Sequence, residues 1–180
     1  KIPSFSPLQM ESGQVGEIKI MIIGIIGSGA MGTGIAQVAA EAGHNVIIYD
    51  TNDAALANSR SKLEGTFARL VEKGKVTAAF AQELLGRIFF EDNLRDFKDC
   101  GLVIEAIVER LDAKRSVFEK LEEIVAADAI LATNTSSLSV AAISAKLQKP
   151  ERLLGIHFFN PAPLMPLVEI VPSLQTSPAV

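Results

Sequence analysis

Ile20-Met21-Ile22-Ile23-Gly24-Ile25-Ile26-Gly27-Ser28-Gly29-Ala30-Met31-Gly32 decides how the rest of the chain is read. It is a short, nearly uninterrupted apolar run that ends in glycines, which is how a parallel strand buried on both faces reads. Ala30 to Ala42 follows with good helix formers and stops at Gly43, a natural C-cap. Asn45 to Tyr49 then forms a second apolar strand, terminated by Asp50. Strand, glycine turn, helix and strand in this order make one βαβ unit.

Gly27-Ser28-Gly29-Ala30-Met31-Gly32 matches G-x-G-x-x-G. The first glycine permits the tight strand-to-helix turn, the second allows close approach of a pyrophosphate, and the third lets helix and strand pack closely. The amides of Ala30 and Met31 then lie at a helix N-terminus, where free N–H groups and the helix dipole favour an anion. Glycine turns are common, but this one follows a strand, opens a helix and precedes an acidic residue at the expected distance. Asp50 is expected to accept a hydrogen bond from an adenosine ribose 2′-OH and to repel a 2′-phosphate. Thr51 and Asn52 offer no arginine for such a phosphate, so NAD is expected over NADP. The alternative is a structural glycine turn with Asp50 as an ordinary cap.

Further along, Asp53 is expected to cap a helix reaching about Glu72, with Leu56, Leu63, Phe67 and Leu70 on one face. Thr77 to Leu85 makes a shorter helix, so the two form a helical hairpin around Gly74. Strands are expected at Arg87–Phe90, Leu102–Ala106, Ala129–Ala132, Leu153–Phe158 and Leu167–Val171. Helices are expected from Asp112, as cap, through Val117, Phe118, Leu121, Ile124 and Val125, and over Val140–Leu147. The alternation implies an α/β domain: a Rossmann-type, doubly wound, mostly parallel sheet with a helical hairpin inserted after the second strand.

A chain of 180 residues suits one domain, and 48% hydrophobic residues suit a compact one. A net charge of -4 without a basic stripe gives no support for nucleic-acid binding, and no nucleic-acid partner is expected. No apolar stretch approaches the roughly 20 residues of a membrane span. The single cysteine, Cys100, excludes an internal disulfide and a cysteine-based metal cluster; no metal site is expected, and a reducing cytoplasm is. Cys100 heads the apolar run Cys100–Ile104 and reads as a packed side chain. Residues 1–20 fall outside the pattern, with Pro3, Ser4, Ser6, Pro7, Gly13 and Gly16 and no periodicity. They read as an artificial leader before Met21, with a short native arm or a linker as alternatives, and residues 21–180 as the domain.

Two further segments carry chemistry. His157, near the end of the sixth strand, falls where open parallel sheets bind ligands. A neutral imidazole there can take a hydroxyl proton as hydride leaves the same carbon, with a carboxylate such as Glu169 fixing its tautomer. Each also reads as an ordinary residue, His157 as a satisfied core group and Glu169 as an outward-facing strand residue. Thr133-Asn134-Thr135-Ser136-Ser137 ends the fifth strand and reads equally as a polar lining of the crevice or as a turn and helix cap.

Together these segments resemble the NAD-binding domain of the L-3-hydroxyacyl-CoA dehydrogenases, including the 3-hydroxybutyryl-CoA dehydrogenases. The resemblance runs from about Met21 to Thr176. It rests on the glycine turn, Glu105-Ala106-Ile107-Val108-Glu109, Asn134-Thr135-Ser136-Ser137-Leu138 and His157-Phe158-Phe159-Asn160-Pro161, of which the last two are the most specific. It implies His157 as general base with Glu169 as its orienting partner, and Ser136, ahead of Ser137, with Asn160 as holders of the substrate hydroxyl and neighbouring groups. Gly27, Gly29, Ala30, Met31, Gly32, Asp50, Glu109, Lys114 and Asn134 are implied as cofactor-binding, with Glu109 and Lys114 on the nicotinamide side. Lys62, Lys73 and Lys75 of the hairpin are candidates for the CoA phosphates. The implied reaction is reversible oxidation of an L-3-hydroxyacyl-CoA thioester to the 3-ketoacyl-CoA. Family members continue into an all-helical C-terminal domain that closes over the substrate and forms the homodimer. That domain does not appear before Val180, so this chain alone is expected to bind NAD but to turn over poorly. The alternatives are another NAD-dependent hydroxyacid dehydrogenase, a non-catalytic NAD-binding or structural relative, and a module of a multifunctional fatty-acid oxidation protein.

Overall fold

The computed structural model describes residues 20–180. Apart from Ile20, the expected leader lies outside the described residues. In chain order the elements are β1 (Ile22–Ile26), α1 (Ala30–Glu41), β2 (Asn45–Tyr49), α2 (Asp53–Glu72), α3 (Ala78–Gly86) and β3 (Ile88–Glu91). They continue with β4 (Leu102–Glu105), α4 (Leu111–Ile124), β5 (Ile130–Thr133), α5 (Val140–Ser144), β6 (Leu153–Phe158) and β7 (Val168–Pro172). All seven strands join one sheet in the order β3-β2-β1-β4-β5-β6-β7. Pairing is parallel from β3 through β6, and only β7 runs antiparallel, against β6. The chain reverses direction of travel between β1 and β4, which makes the edge above them the topological switch point where such sheets bind ligands. The expected Rossmann-type architecture and the α2–α3 hairpin after β2 are both present.

Each face of the sheet buries its own cluster. Ile25, Ile35, Val46, Ile48, Leu63 and Phe67 pack beneath α1, α2 and α3. Ile26, Phe97, Val103, Phe118, Leu121 and Leu131 pack beneath α4 and α5. Fully burying each such side chain is worth about 1.5–3 kcal/mol, so these two layers hold the sheet between its helices. Gly24 in β1 leaves the space that the Phe97 ring fills, since a Cβ there would lie 2.3 Å from it. Cys100 packs against the same point and is 1% exposed. Burial, and secondarily the charge of Asp99, pushes its thiol up to about 12, which keeps it protonated and inert as the packed reading requires.

The structure corrects several local expectations. Asn52, not Asp53, caps α2, its side-chain oxygen accepting from the amides of Ala54 and Ala55. Arg110, without a side-chain cap, precedes α4, and Asp112 lies one position inside the helix. There its charge still suits the N-terminal dipole. In both places the acidic residue lies in the first turn, which suits a negative charge as well as the cap does. The helix expected over Val140–Leu147 stops at Ser144. A 3₁₀ turn at Leu94–Asp99, which carries the buried Phe97, has no counterpart in the reading of the sequence.

Candidate functional site

The glycine turn takes the shape its pattern implies. Gly27 has φ +102°, a conformation disfavoured for residues with a Cβ. A Cβ on Gly32 would lie 1.8 Å from the Gly27 carbonyl oxygen, so α1 can start this close to β1 only with glycine there. Gly29 differs from both: a Cβ there would meet nothing within 4 Å and would project into open space in front of the helix. Gly29 is also the N-cap of α1, makes no side-chain cap, and is followed by no acidic residue in the first turn. The amides of Ala30 and Met31 therefore open α1 with neither a helical acceptor nor a capping side chain, as an anion site requires.

Asp50 stands at the end of β2 beside this turn. Its Oδ2 accepts from both the amide and the hydroxyl of Ser28, each at 2.8 Å, and its Oδ1 accepts from the Asn52 amide at 3.1 Å. Ser28, the second residue of the glycine motif, is 5% exposed and thus locks the carboxylate in place. The glycine pattern assigns no role to Ser28; a hydroxyl in the turn with an acidic residue at the end of the next strand is the signal for one. Gly27, Gly29 and Asp50 border a cavity of about 490 Å³, whose walls include Ile26, Tyr49, Leu94, Ile107, Val108 and Val117. A slot with apolar walls and one fixed carboxylate at its mouth has the size and polarity to take a nucleoside. The residues present therefore fit the dinucleotide that the motif implies.

On the other side of the switch point, His157 lies in β6 and Glu169 in β7, opposite each other in the antiparallel register. Their side chains meet with Nδ1 2.8 Å from Oε2. His157 is largely enclosed, with its side chain 20% exposed against 51% for Glu169. An ionised carboxylate only accepts, so it fixes the neutral ring with its proton on Nδ1 and its free lone pair on Nε2. The Phe159 ring lies 4.7 Å from the imidazole and flanks it.

The loop after β5 divides its polar residues between internal partners and the surface. Thr133 is buried and donates to Glu105, and Thr135 donates to Glu109. The Asn134 side-chain oxygen accepts from the Phe158 amide at 2.8 Å, tying this loop to the strand of His157. Ser136 and Asn160 are exposed on the two loops so joined, and Ser137 is exposed with its hydroxyl 3.2 Å from Glu109. The threonines of Thr133–Ser137 thus build the turn, while its two serines are exposed.

Glu109 is partly exposed and gathers several donors. Burial opposes its ionisation, but hydrogen bonds from Thr135, Lys114 and Ser137 and the Lys114 charge outweigh that and hold its carboxyl down at about 2. Lys114 is placed differently from a surface cofactor contact. It is 1% exposed, and its ammonium lies 2.6 Å from Glu105 and 3.2 Å from Glu109. Glu105 itself was quoted from the sequence without a role. A carboxylate ending the buried run Leu102–Ile104 was a signal that it must have an internal partner. Lys62, Lys73 and Lys75 are all exposed on the hairpin. No helix among the described residues is long and apolar enough to cross a membrane.

A family model described as "3-hydroxyacyl-CoA dehydrogenase, NAD binding domain" matches residues 22–180. The "Probable 3-hydroxybutyryl-CoA dehydrogenase" of Deinococcus radiodurans is 45% identical over 157 residues, which are 87% of this chain and 56% of that protein. The 3-hydroxyadipyl-CoA dehydrogenase of Escherichia coli is 43% identical over 166 residues, covering 91% of this chain and 34% of its own length. Among solved structures, 3-hydroxybutyryl-CoA dehydrogenase from Escherichia coli K12 superposes with a TM-score of 0.87 at 41% identity, over 90% of this chain and 34% of that one. The chain thus spans about half or less of the relatives it matches. Its glycine turn, its sheet and the match across residues 22–180 agree: the chain belongs to the family of 3-hydroxyacyl-CoA dehydrogenases, as their NAD-binding domain.

Proposed function

We propose that the protein carrying this domain reversibly oxidises an L-3-hydroxyacyl-CoA to the 3-ketoacyl-CoA, with His157 as the general base. The 2.8 Å contact between His157 and Glu169 at the carboxyl end of β6 carries this reading. Glu169 holds Nδ1–H, so Nε2 is left to accept the proton of the 3-hydroxyl group. Its negative charge also offsets the positive charge that the imidazole acquires on taking that proton. NAD, when bound, supplies the hydride acceptor for the same carbon. Gly27 and Gly29 with the Ala30 and Met31 amides hold the pyrophosphate, Gly32 lets the helix start close enough to β1 for this, and Asp50 holds the adenosine ribose. Glu109 and Asn134 border the nicotinamide half, and Lys114 acts there through Glu109 because its ammonium is internal. Ser136 and Asn160 hold the substrate hydroxyl and its neighbours.

The names of the relatives support an acyl-CoA thioester as substrate. An apolar margin beside β7, including Leu164, Leu167 and Ile170, is 54–74% exposed at these three residues. It is the face on which a helical domain of the family would close and pair two copies. This domain by itself then binds NAD and turns over slowly, because a crevice open to water does not position a thioester. The complete protein acts in the cytoplasm. The test is a substrate panel with the complete protein and NAD. Turnover of 3-hydroxyacyl-CoA thioesters well above that of the free hydroxy acids is the expected result. Preference for the free acids removes the proposal.

A further inference from the structure

The strongest unassigned feature is the buried charge at the end of β4. Glu105 is 0% exposed and its carboxylate is fully engaged: Oε1 accepts from Lys114 Nζ at 2.6 Å and the Ile107 amide at 2.7 Å, Oε2 from the Thr133 hydroxyl at 2.7 Å. The same ammonium reaches Glu109 Oε2 at 3.2 Å. Glu109 Oε1 in turn accepts from the hydroxyls of Thr135 and Ser137 and from the Ser137 amide. An unbroken line of polar contacts therefore runs from inside the sheet to the loop after β5. That loop is fastened to the strand of His157 through Asn134 and the Phe158 amide.

Packing alone does not call for such a line. A buried ion pair is often no more stabilising than apolar side chains of similar volume, and this one sits beside strands whose other residues, the Thr133 donor apart, are leucine, valine, isoleucine and alanine. What it does provide is direction. A carboxylate saturated by three donors cannot shift, so it fixes the ammonium, and the ammonium fixes the exposed carboxylate of Glu109. Asp50 and the cavity beside it lie across the switch point, at the adenosine end of the crevice, and none of these residues reaches Asp50. Of the residues in the line only Ile107, whose amide donates to Glu105, also borders that cavity, and Glu105→Gln keeps an oxygen for that amide, so the effect falls on the end next to His157.

We propose that Glu105 is a positioning residue for the nicotinamide half of the site: through Lys114 it holds Glu109 and the Asn134–Leu138 loop in the geometry that receives the ring. The proposal rests on the NAD-binding reading above. ADP-ribose separates the two, because it carries the adenosine and pyrophosphate parts of the cofactor and lacks the nicotinamide.

The experiment measures binding of NADH and of ADP-ribose to the 180-residue chain and to its Glu105→Gln variant, with thermal melting to check folding. The expected result is a loss of about tenfold in NADH affinity, the scale of one misdirected charged hydrogen bond, with ADP-ribose affinity unchanged within about twofold. Thr133→Val removes one donor to Glu105 and no charge, and shows a smaller loss in the same direction; it is the deciding variant if Glu105→Gln does not melt cooperatively. A parallel loss for both ligands, or no loss for either, overturns the proposal. Failure of the unaltered chain to bind NADH and ADP-ribose overturns the NAD-binding reading itself and the proposal with it.

Discussion

His157 and Glu169 face each other across β6 and β7, with Nδ1 2.8 Å from Oε2, because the antiparallel register pairs them residue for residue. Twelve positions apart in the chain, they become neighbours only where the last strand turns back. In the complete protein, His157→Gln should lower turnover by about 10²–10⁴-fold, the usual contribution of a positioned proton acceptor. NAD affinity should stay within about twofold, since the cofactor is held by other residues. Steady-state kinetics beside cofactor titration checks both; equal losses in the two would contradict the role.

Ser28 donates twice to a single oxygen of Asp50. Removing its hydroxyl in Ser28→Ala leaves the amide bond and frees the carboxylate to turn. The loss of one such bond to a charged group should weaken NAD binding by about fivefold. Asp50→Ala should weaken NAD further and narrow the difference between NAD and NADP, because the repulsion of a 2′-phosphate goes with the charge. Titration with both cofactors decides the matter, and an unchanged ratio in Asp50→Ala would remove Asp50 from the ribose site.

Gly32→Ala places a methyl group 1.8 Å from the Gly27 carbonyl oxygen, a backbone atom that cannot swing aside. The helix must move away from the strand, at a cost of about 3 kcal/mol. Gly29→Ala meets open space instead and should leave stability within about 0.5 kcal/mol while impairing binding of the pyrophosphate. Urea unfolding of the two variants distinguishes a packing glycine from a ligand-facing one.

Glu109 has its carboxyl held down at about 2 in the folded chain against an ordinary 4.5. A depressed value favours the folded state wherever the carboxylate is ionised in both states, so its contribution is complete above about pH 4.5. It is lost as pH falls from there towards 2. Melting temperature should drop across that window in the unaltered chain, and Glu109→Gln should show a shallower drop. Identical acid limbs for the two proteins would mean that the donors around Glu109 contribute nothing to folding.

Most of the fold was legible in the residues because its signals are local. Apolar runs of strand length alternate with helical periods, and the glycine turn follows one and opens the other. Element ends were the weaker part: at Asn52 and Arg110 the true cap lay one or two residues before the acidic side chain chosen for it. The 3₁₀ turn carrying Phe97 escaped notice because its reason is distant, in the space left by Gly24.

The sequence by itself determined the doubly wound sheet, the dinucleotide turn and the candidate residues of the site, since each follows from short-range pattern and from residue chemistry. Only the tertiary structure decided how those residues divide their work. Strand register brings His157 to Glu169, and burial turns Lys114 inward between Glu105 and Glu109. Sheet pairing sets Thr133 beside Glu105, and the Glu109 carboxylate takes Thr135, while Ser136 is left outside. Which of two polar neighbours faces inward depends on the partner that waits there, and that partner lies far away in the chain, on β4 or in the segment after it.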